Sequence, residues 1–301
     1  RAALRAPNTR VYDLVSHWRS VSGVACLPAL ERVFTETPFF LEGAEHKVRR
    51  GALAPTYRRL ASSVTEWLPE TVGRFWANCD PDMSAIDVAS SFTSLYFESL
   101  LANYCGQNAT FDLSSMFGAN LLSMMPRRSR LETREAFTRE LIDALTLALE
   151  KTGRKEETMP LLSVIFMGHE PLYASLVYGL SHGLSEFDDA ADLYARSSPV
   201  YLLGRTFLRD QTLGGAKFAA GQSIFISPAI CRELAPASRS FSFGVGRHVC
   251  PGRHLALAAL NAFIKGAPED VARFSEENYR FVRDLVLIPR ILECPVDSSN
   301  G

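Results

Sequence analysis

The densest run of chemistry in the chain is FSFGVGRHVCPGRHLALAAL, Phe241–Leu260. A short loop punctuated by Gly244, Gly246 and Gly252 carries an Arg-His pair and a Cys-Pro-Gly, then runs straight into an alanine- and leucine-rich helix. Cys250 offers a thiolate, a soft ligand suited to iron. Pro251 suits the first turn of a helix, where its missing N–H costs nothing. Cys250 then stands at a helix N-terminus, where free N–H groups and the helix dipole favour thiolate over thiol. The glycines let backbone approach a flat ligand closely. Phe243 packs beside the sulfur and keeps it dry, while Arg247 and His248 suit carboxylates on the ligand rim. A lone cysteine after a glycine turn is ordinarily a core residue; here the whole string points to a ligand.

The string FGVGRHVCPG resembles the cysteine-ligand loop of the cytochrome P450 superfamily, Phe-Gly-x-Gly-x-His/Arg-x-Cys-x-Gly. Phe243, Gly244, Gly246, His248, Cys250 and Gly252 match each fixed position. Two further segments fit the same resemblance. EHKVRR supplies His46 and Arg50, like the His-x-x-x-Arg of the family's haem-facing helix, and one helical turn puts both on one face. SSPVYLLGRTFL resembles the strand whose arginine contacts a haem propionate, which points to Arg205. The resemblance implies haem b with an axial thiolate from Cys250, its carboxylates held by His46, Arg50, Arg205 and His248.

The sequence departs from the family in three places. MGHEPLYA, Met167–Ala174, aligns with the oxygen-activation segment Ala/Gly-Gly-x-Asp/Glu-Thr-Thr. Gly168 and Glu170 match, but Pro171 stands at the threonine position, with neither hydroxyl nor N–H. A proline there is expected to kink the helix and widen the groove beside the haem. Glu170 is expected to act as the distal catalytic acid. The Glu-x-x-Arg that precedes Ser-Pro-Val falls here on Asp192 and Ala195, with Arg196 one place late, so that salt bridge is either built differently or absent. The chain is also short for the family, with compressed regions after Gly106, around Leu184 and after Glu233.

Composition sets the remaining bounds. The 301 residues are 47% hydrophobic and 22% charged, with a net charge of −1. That supports a sizeable core and gives no support to nucleic-acid binding. The six cysteines show no regular spacing, which fits a reducing cytoplasm better than a disulfide framework. The longest apolar stretch, Met159–Leu180, is interrupted by His169, Glu170 and Pro171 and is expected to be a buried helix rather than a membrane span. No nucleic-acid or membrane partner is therefore expected.

Apolar periodicity predicts helices over Ala44–Cys79, broken at Pro55 and Pro69, over Asp87–Gly106, and over Arg128–Gly153. Strand patterns are confined to PVYLLGRTFL, QSIFISPAI, the GGAKFAAG between them, and RDLVLIPRILECPV. The expected architecture is a single mainly α domain over residues 1–301 with a small β portion, the cytochrome P450-like haem-thiolate fold.

The resemblance implies a monooxygenase that oxidises a small organic molecule in bacterial specialised metabolism. It would draw electrons from a separate ferredoxin- or flavodoxin-type donor, docked through Lys47, Arg49, Arg58 and Arg59. Residues from Leu161 to Met167, with Leu202 and Leu203, would line the pocket. Loss of the threonine leaves two alternatives: peroxide-driven or non-hydroxylating chemistry such as cyclisation or rearrangement, and a catalytically silent partner protein of a glycosyltransferase.

Overall fold

The computed structural model describes residues 8–24, 26–80, 82–106, 109–113, 128–234, 242–268, 279–283 and 287–291. Its helices are α1 (Leu14–Ser22), α2 (Pro28–Glu36), α3 (Gly43–Ala77), α4 (Ala85–Cys105), α5 (Arg128–Glu150), α6 (Thr158–His182), α7 (Ala190–Ser197), α8 (Pro228–Leu234) and α9 (Arg253–Gly266). Strands β1 (Thr9–Val11), β2 (Leu203–Phe207) and β5 (Ser223–Ile226) form an antiparallel sheet in the order β1-β2-β5. Strands β3 (Gln211–Leu213) and β4 (Ala216–Phe218) make one hairpin, and β6 (Tyr279–Arg283) and β7 (Leu287–Ile291) another. The compressed stretches after Gly106 and Glu233 fall largely outside the described residues.

The apolar stretch Met159–Leu180 is helix α6, packed against α3, α4, α5, α7 and α9. It is long and apolar enough to cross a membrane, yet 72% of its most apolar window is buried within the protein. Around it lies an aromatic cluster that joins three helices. Phe263 of α9 sits 4.6 Å from Phe92 of α4 and 4.7 Å from Trp76 of α3, and the Trp76 indole donates to the Phe263 carbonyl at 3.3 Å. Each such ring withdrawn from water contributes about 1.5–3 kcal/mol. This cluster fixes the far end of α9, whose near end follows Cys250.

Helix α3 runs 35 residues without interruption, through both prolines where breaks were expected. Pro55 and Pro69 lie on its exposed side, as do Gly51 and Thr65, whose carbonyls lose their helical donors. Those carbonyls face water, which replaces the missing bond, so the ladder is interrupted without ending the helix. Helix α6 likewise continues through Pro171, and the Ser175 hydroxyl donates back to the Pro171 carbonyl at 3.0 Å.

Strand β1 is too short to show a period in the sequence, and it forms because β2 offers it an edge. Its register pairs Val11 with Arg205, which in turn pairs with Ile224 of β5. Arg205 therefore sits on a central strand, held from both sides. Helix α2 has no side-chain cap of its own at Leu27. Glu135, far along the chain on α5, supplies one: its carboxylate accepts from the Ala29 and Leu30 amides at 2.9 and 3.0 Å.

Candidate active site

The Cys250 loop is shaped by its own backbone. The Cys250 amide donates to the Phe243 carbonyl at 2.7 Å, and Gly246–His248 form a 3-10 turn between them. Gly244 takes φ +71°, and a β-carbon there would lie 3.1 Å from the His248 carbonyl oxygen. Any other residue would strain the turn. A β-carbon on Gly252 would meet the Tyr57 ring at 3.3 Å, so α3 packs directly on the start of α9. The Tyr96 hydroxyl donates to the Leu255 carbonyl at 3.1 Å and ties the same turn to α4.

The sulfur is sheltered by aromatic rings. Phe243 stacks on Tyr194 of α7 at 4.0 Å and 9°, with the Arg253 guanidinium 5.5 Å from its centroid. Burial pushes the Cys250 thiol up; the amides of Gly252 and Arg253 and the charge of Arg50 pull it down without cancelling the shift. Burial likewise raises the Tyr57 and Tyr194 phenols, with a smaller contribution from the neighbouring Cys250.

Helix α3 meets the loop with three side chains one turn apart. Glu42, the residue before its first turn, puts its carboxylate 2.9 Å from Arg247 Nε and 3.2 Å from His248 Nε2. The Arg247 contact is an ion pair and the His248 contact a close approach, and neither is an aligned hydrogen bond. The His46 ring lies 4.3 Å from the His248 ring. Arg50 donates to the Val249 carbonyl at 2.7 Å. Burial raises the Glu42 carboxyl, but the His248 contact and the charges of Arg247 and Arg205 outweigh it, and its net shift is downward. Burial lowers His46, reinforced by His248 and Arg50.

In front of Cys250 opens a cavity of about 210 Å³, within roughly 1130 Å³ of space free of protein atoms and partly open to solvent. Arg205 and His248 lie on its wall with Gly244 and Phe243; Met167, Pro171, Leu202 and Leu203 supply apolar wall. A second cavity of about 60 Å³ continues inward past Cys250 and Gly252 to Tyr96, Phe97 and Val164. The two share Phe39, Met167, Pro171, Tyr194, Phe243 and Cys250. Together they form a cleft with α6 on one wall, the cysteine loop on the other, cationic groups toward one end and hydrocarbon at the other.

No family model and no curated protein sequence matches the chain. Solved structures do. A 6-coordinated cytochrome P450 from Thermus thermophilus superposes with a TM-score of 0.70 at 18% identity, over 97% of this chain and 89% of that one. P450 RauA, complexed with a biosynthetic intermediate of aurachin RE, superposes at 0.72 and 17% identity, covering 97% and 88%. P450BioI, in complex with an acyl carrier protein ligated to hexadec-9Z-enoic acid, gives 0.71 and 16%, covering 97% and 90%. The chain has the cytochrome P450 fold.

Within this P450 fold, the residues picked out in the sequence separate into two groups. Arg205, Phe243, Gly244, His248 and Cys250 line the larger cavity, and Gly252 lines the inner one. His46 and Arg50 do not line either; they touch the cysteine loop from behind. Glu170 is buried but absent from both walls, because α6 turns Val164, Met167, Gly168, Pro171 and Leu172 toward the cleft. It is one helical step off that face. Leu161 is buried without lining either cavity. The shifted acid–arginine pair exists: Arg196 lies 3.5 Å from Asp192 at i,i+4, donates to the Glu186 carbonyl at 2.7 Å, and sits over the Phe187 ring. Arg232 donates to the Ala195 carbonyl beside it. Of the proposed docking cations, Arg59 is paired with Glu157, while Lys47, Arg49 and Arg58 are exposed. Sequence reading missed Glu42, although it stands four residues before His46, the same step that separates His46 from Arg50. Tyr57 and Tyr194 carried no motif at all.

The cleft fits the haem that the resemblance implies. A flat ligand with one charged edge and a metal that takes a soft ligand matches a half-buried thiol flanked by ring faces, with Arg205 and His248 on the wall and hydrocarbon beyond.

Proposed function

We propose that the chain is a haem-thiolate monooxygenase that oxidises a small, largely apolar organic molecule. The observation that carries this is Cys250 at the start of α9, facing a cleft whose wall holds Arg205 and His248. Haem bound there would supply reductive activation of O2 and transfer of one oxygen atom to the substrate. Cys250 Sγ would hold its iron, with the Gly252 and Arg253 amides directed at the sulfur. Arg205 and His248 would hold the carboxylates. Phe243 and Tyr194 exclude water from the sulfur, and Val164, Met167, Leu202 and Leu203 shape the apolar side. The first electron donor would be a separate small redox protein of ferredoxin or flavodoxin type, and the setting the cytoplasm of a bacterium making specialised metabolites. The neighbours bound to a biosynthetic intermediate and to an acyl carrier protein support that class of setting without naming this chain's substrate.

Pro171 on the cavity wall favours a second reading of the oxidant. Among the described residues, α6 brings no hydroxyl and no titratable group to the cleft. Protons for oxygen activation would then come from water or from a substrate hydroxyl, or the enzyme would use peroxide, which already carries them. Haem content measured on protein expressed with haem supplied tests the primary reading, with about one haem per chain expected and none in Cys250→Ala at equal fold. Turnover with O2 and a ferredoxin–reductase pair, set against turnover with peroxide alone, separates the two oxidants.

A further inference from the structure

Glu42 sits where nothing in the cysteine-loop motif asks for a carboxylate. It precedes the first turn of α3 with extended backbone, φ −133° and ψ 164°, and its side chain makes no cap bond to that turn. The first-turn amides would ordinarily claim such a carboxylate. Instead it reaches across to the loop, 2.9 Å from Arg247 Nε and 3.2 Å from His248 Nε2, with the buried Arg205 guanidinium adding to its field. Its side chain is 20% exposed and that of His248 only 11%. Neither cavity counts Glu42 among its wall residues, whereas His248 and Arg205 belong to the larger one. Glu42 therefore stands behind the groups that face the ligand.

We infer that Glu42 is a positioning residue for the haem carboxylates, acting through His248 and Arg247. It rests on the haem-binding reading and goes beyond it, since no part of the loop motif assigns such a residue. Arg247 is held at two points, by Glu42 and by the Thr9 carbonyl 3.4 Å from its Nη2, so it cannot swing freely toward a ligand. His248 is held by Glu42 on one side and by the His46 ring on the other. Arg50 completes the clamp at Val249. Charge balance agrees with this division of labour: Arg50, Arg205 and Arg247 carry three positive charges, Glu42 cancels one, and a ligand with two carboxylates cancels the rest. Holding His248 in place before the ligand arrives reduces the ordering that binding must impose.

The test is the rate at which the haem-loaded protein gives up haem to excess apomyoglobin. Glu42→Ala should lose haem about tenfold faster than wild type, with the smaller change in Glu42→Gln, which keeps the shape and one acceptor oxygen. In an Arg247→Ala/His248→Ala background the same Glu42→Ala change should have almost no further effect, because the groups it acts through are gone. Circular dichroism and the unfolding midpoint of Glu42→Gln keep the comparison on folded protein. Equal loss rates in wild type and Glu42→Ala overturn the inference, as does an undiminished Glu42→Ala effect in the double-alanine background, which would mark a general structural role. A wild-type protein that takes up no haem overturns the functional reading and this inference with it.

Discussion

Two opposing influences meet at Cys250. Burial disfavours the thiolate, and the α9 amides with the Arg50 charge favour it; burial prevails, so the free thiol is held above its ordinary range. A metal ion reverses that outcome by coordinating the deprotonated sulfur outright. Other buried groups show the same competition with different winners. Desolvation alone drives His169 of α6, which lies beside the Phe97 ring, down to about 3. Between about 3 and 6.5 the unfolded chain binds a proton at this histidine that the folded chain refuses, so folding stability rises with pH through that window. His169→Gln should flatten the rise, read from unfolding midpoints collected from pH 4 to pH 7. Glu42 shares that sign, its folded pKa also lying below the unfolded one. Its contribution is present above the unfolded value of about 4.3 and is lost as pH falls through the folded one. The stability gap between wild type and Glu42→Gln should accordingly close on acidification below about pH 4.5. Glu170 lies off the cleft-facing side of α6, and Glu170→Gln is expected to leave substrate turnover within about twofold of wild type; a hundredfold loss of kcat would return it to the role of distal acid.

Among the elements, those with strong apolar periods were legible and those built by a distant partner were not. The spacing of Val88, Phe92, Tyr96 and Leu100 marks α4, and Ser84 and Gly106 cap it as such residues should. Pro55 and Pro69 misled because a proline signals a break only where the carbonyl it orphans is shut off from water. With both on the exposed side of α3, replacing Pro55 by Ala should restore one helical hydrogen bond and raise stability by up to about 3 kcal/mol. A denaturant melt reads that directly. Helix α2 illustrates the converse, since its cap comes from Glu135, over a hundred positions away in sequence. Glu135→Ala should lower stability by about 1–2 kcal/mol, because it strips two amides of their acceptor and leaves Arg139 without its 3.1 Å partner. Strand β1 had no signal of its own, as three residues are too few to show a period.

For the whole molecule, one loop carried most of the information. The FGVGRHVCPG string and the order of segments around it were enough to anticipate a fold shared with P450 structures at 15–18% identity, where no family model or curated sequence finds a match. The motif is legible because its glycines and cysteine answer to local geometry within one turn. Helix α7 carries an acid–arginine pair at a spacing of four where the family has three, and either step brings two residues onto one helical face. The placement of Glu42, Tyr57 and Tyr194 around the sulfur was not legible, because it depends on how α3 and α7 pack onto α9 rather than on any spacing within one segment. The central claim is that this assembly holds haem through Cys250. It is tested most directly by the absorption spectrum of the purified protein reduced with dithionite and exposed to carbon monoxide. The account predicts a Soret band at the long-wavelength position of thiolate-ligated haem, absent in Cys250→Ala. Failure to bind haem when it is supplied during expression, or a band at the position of histidine-ligated haem, would contradict it.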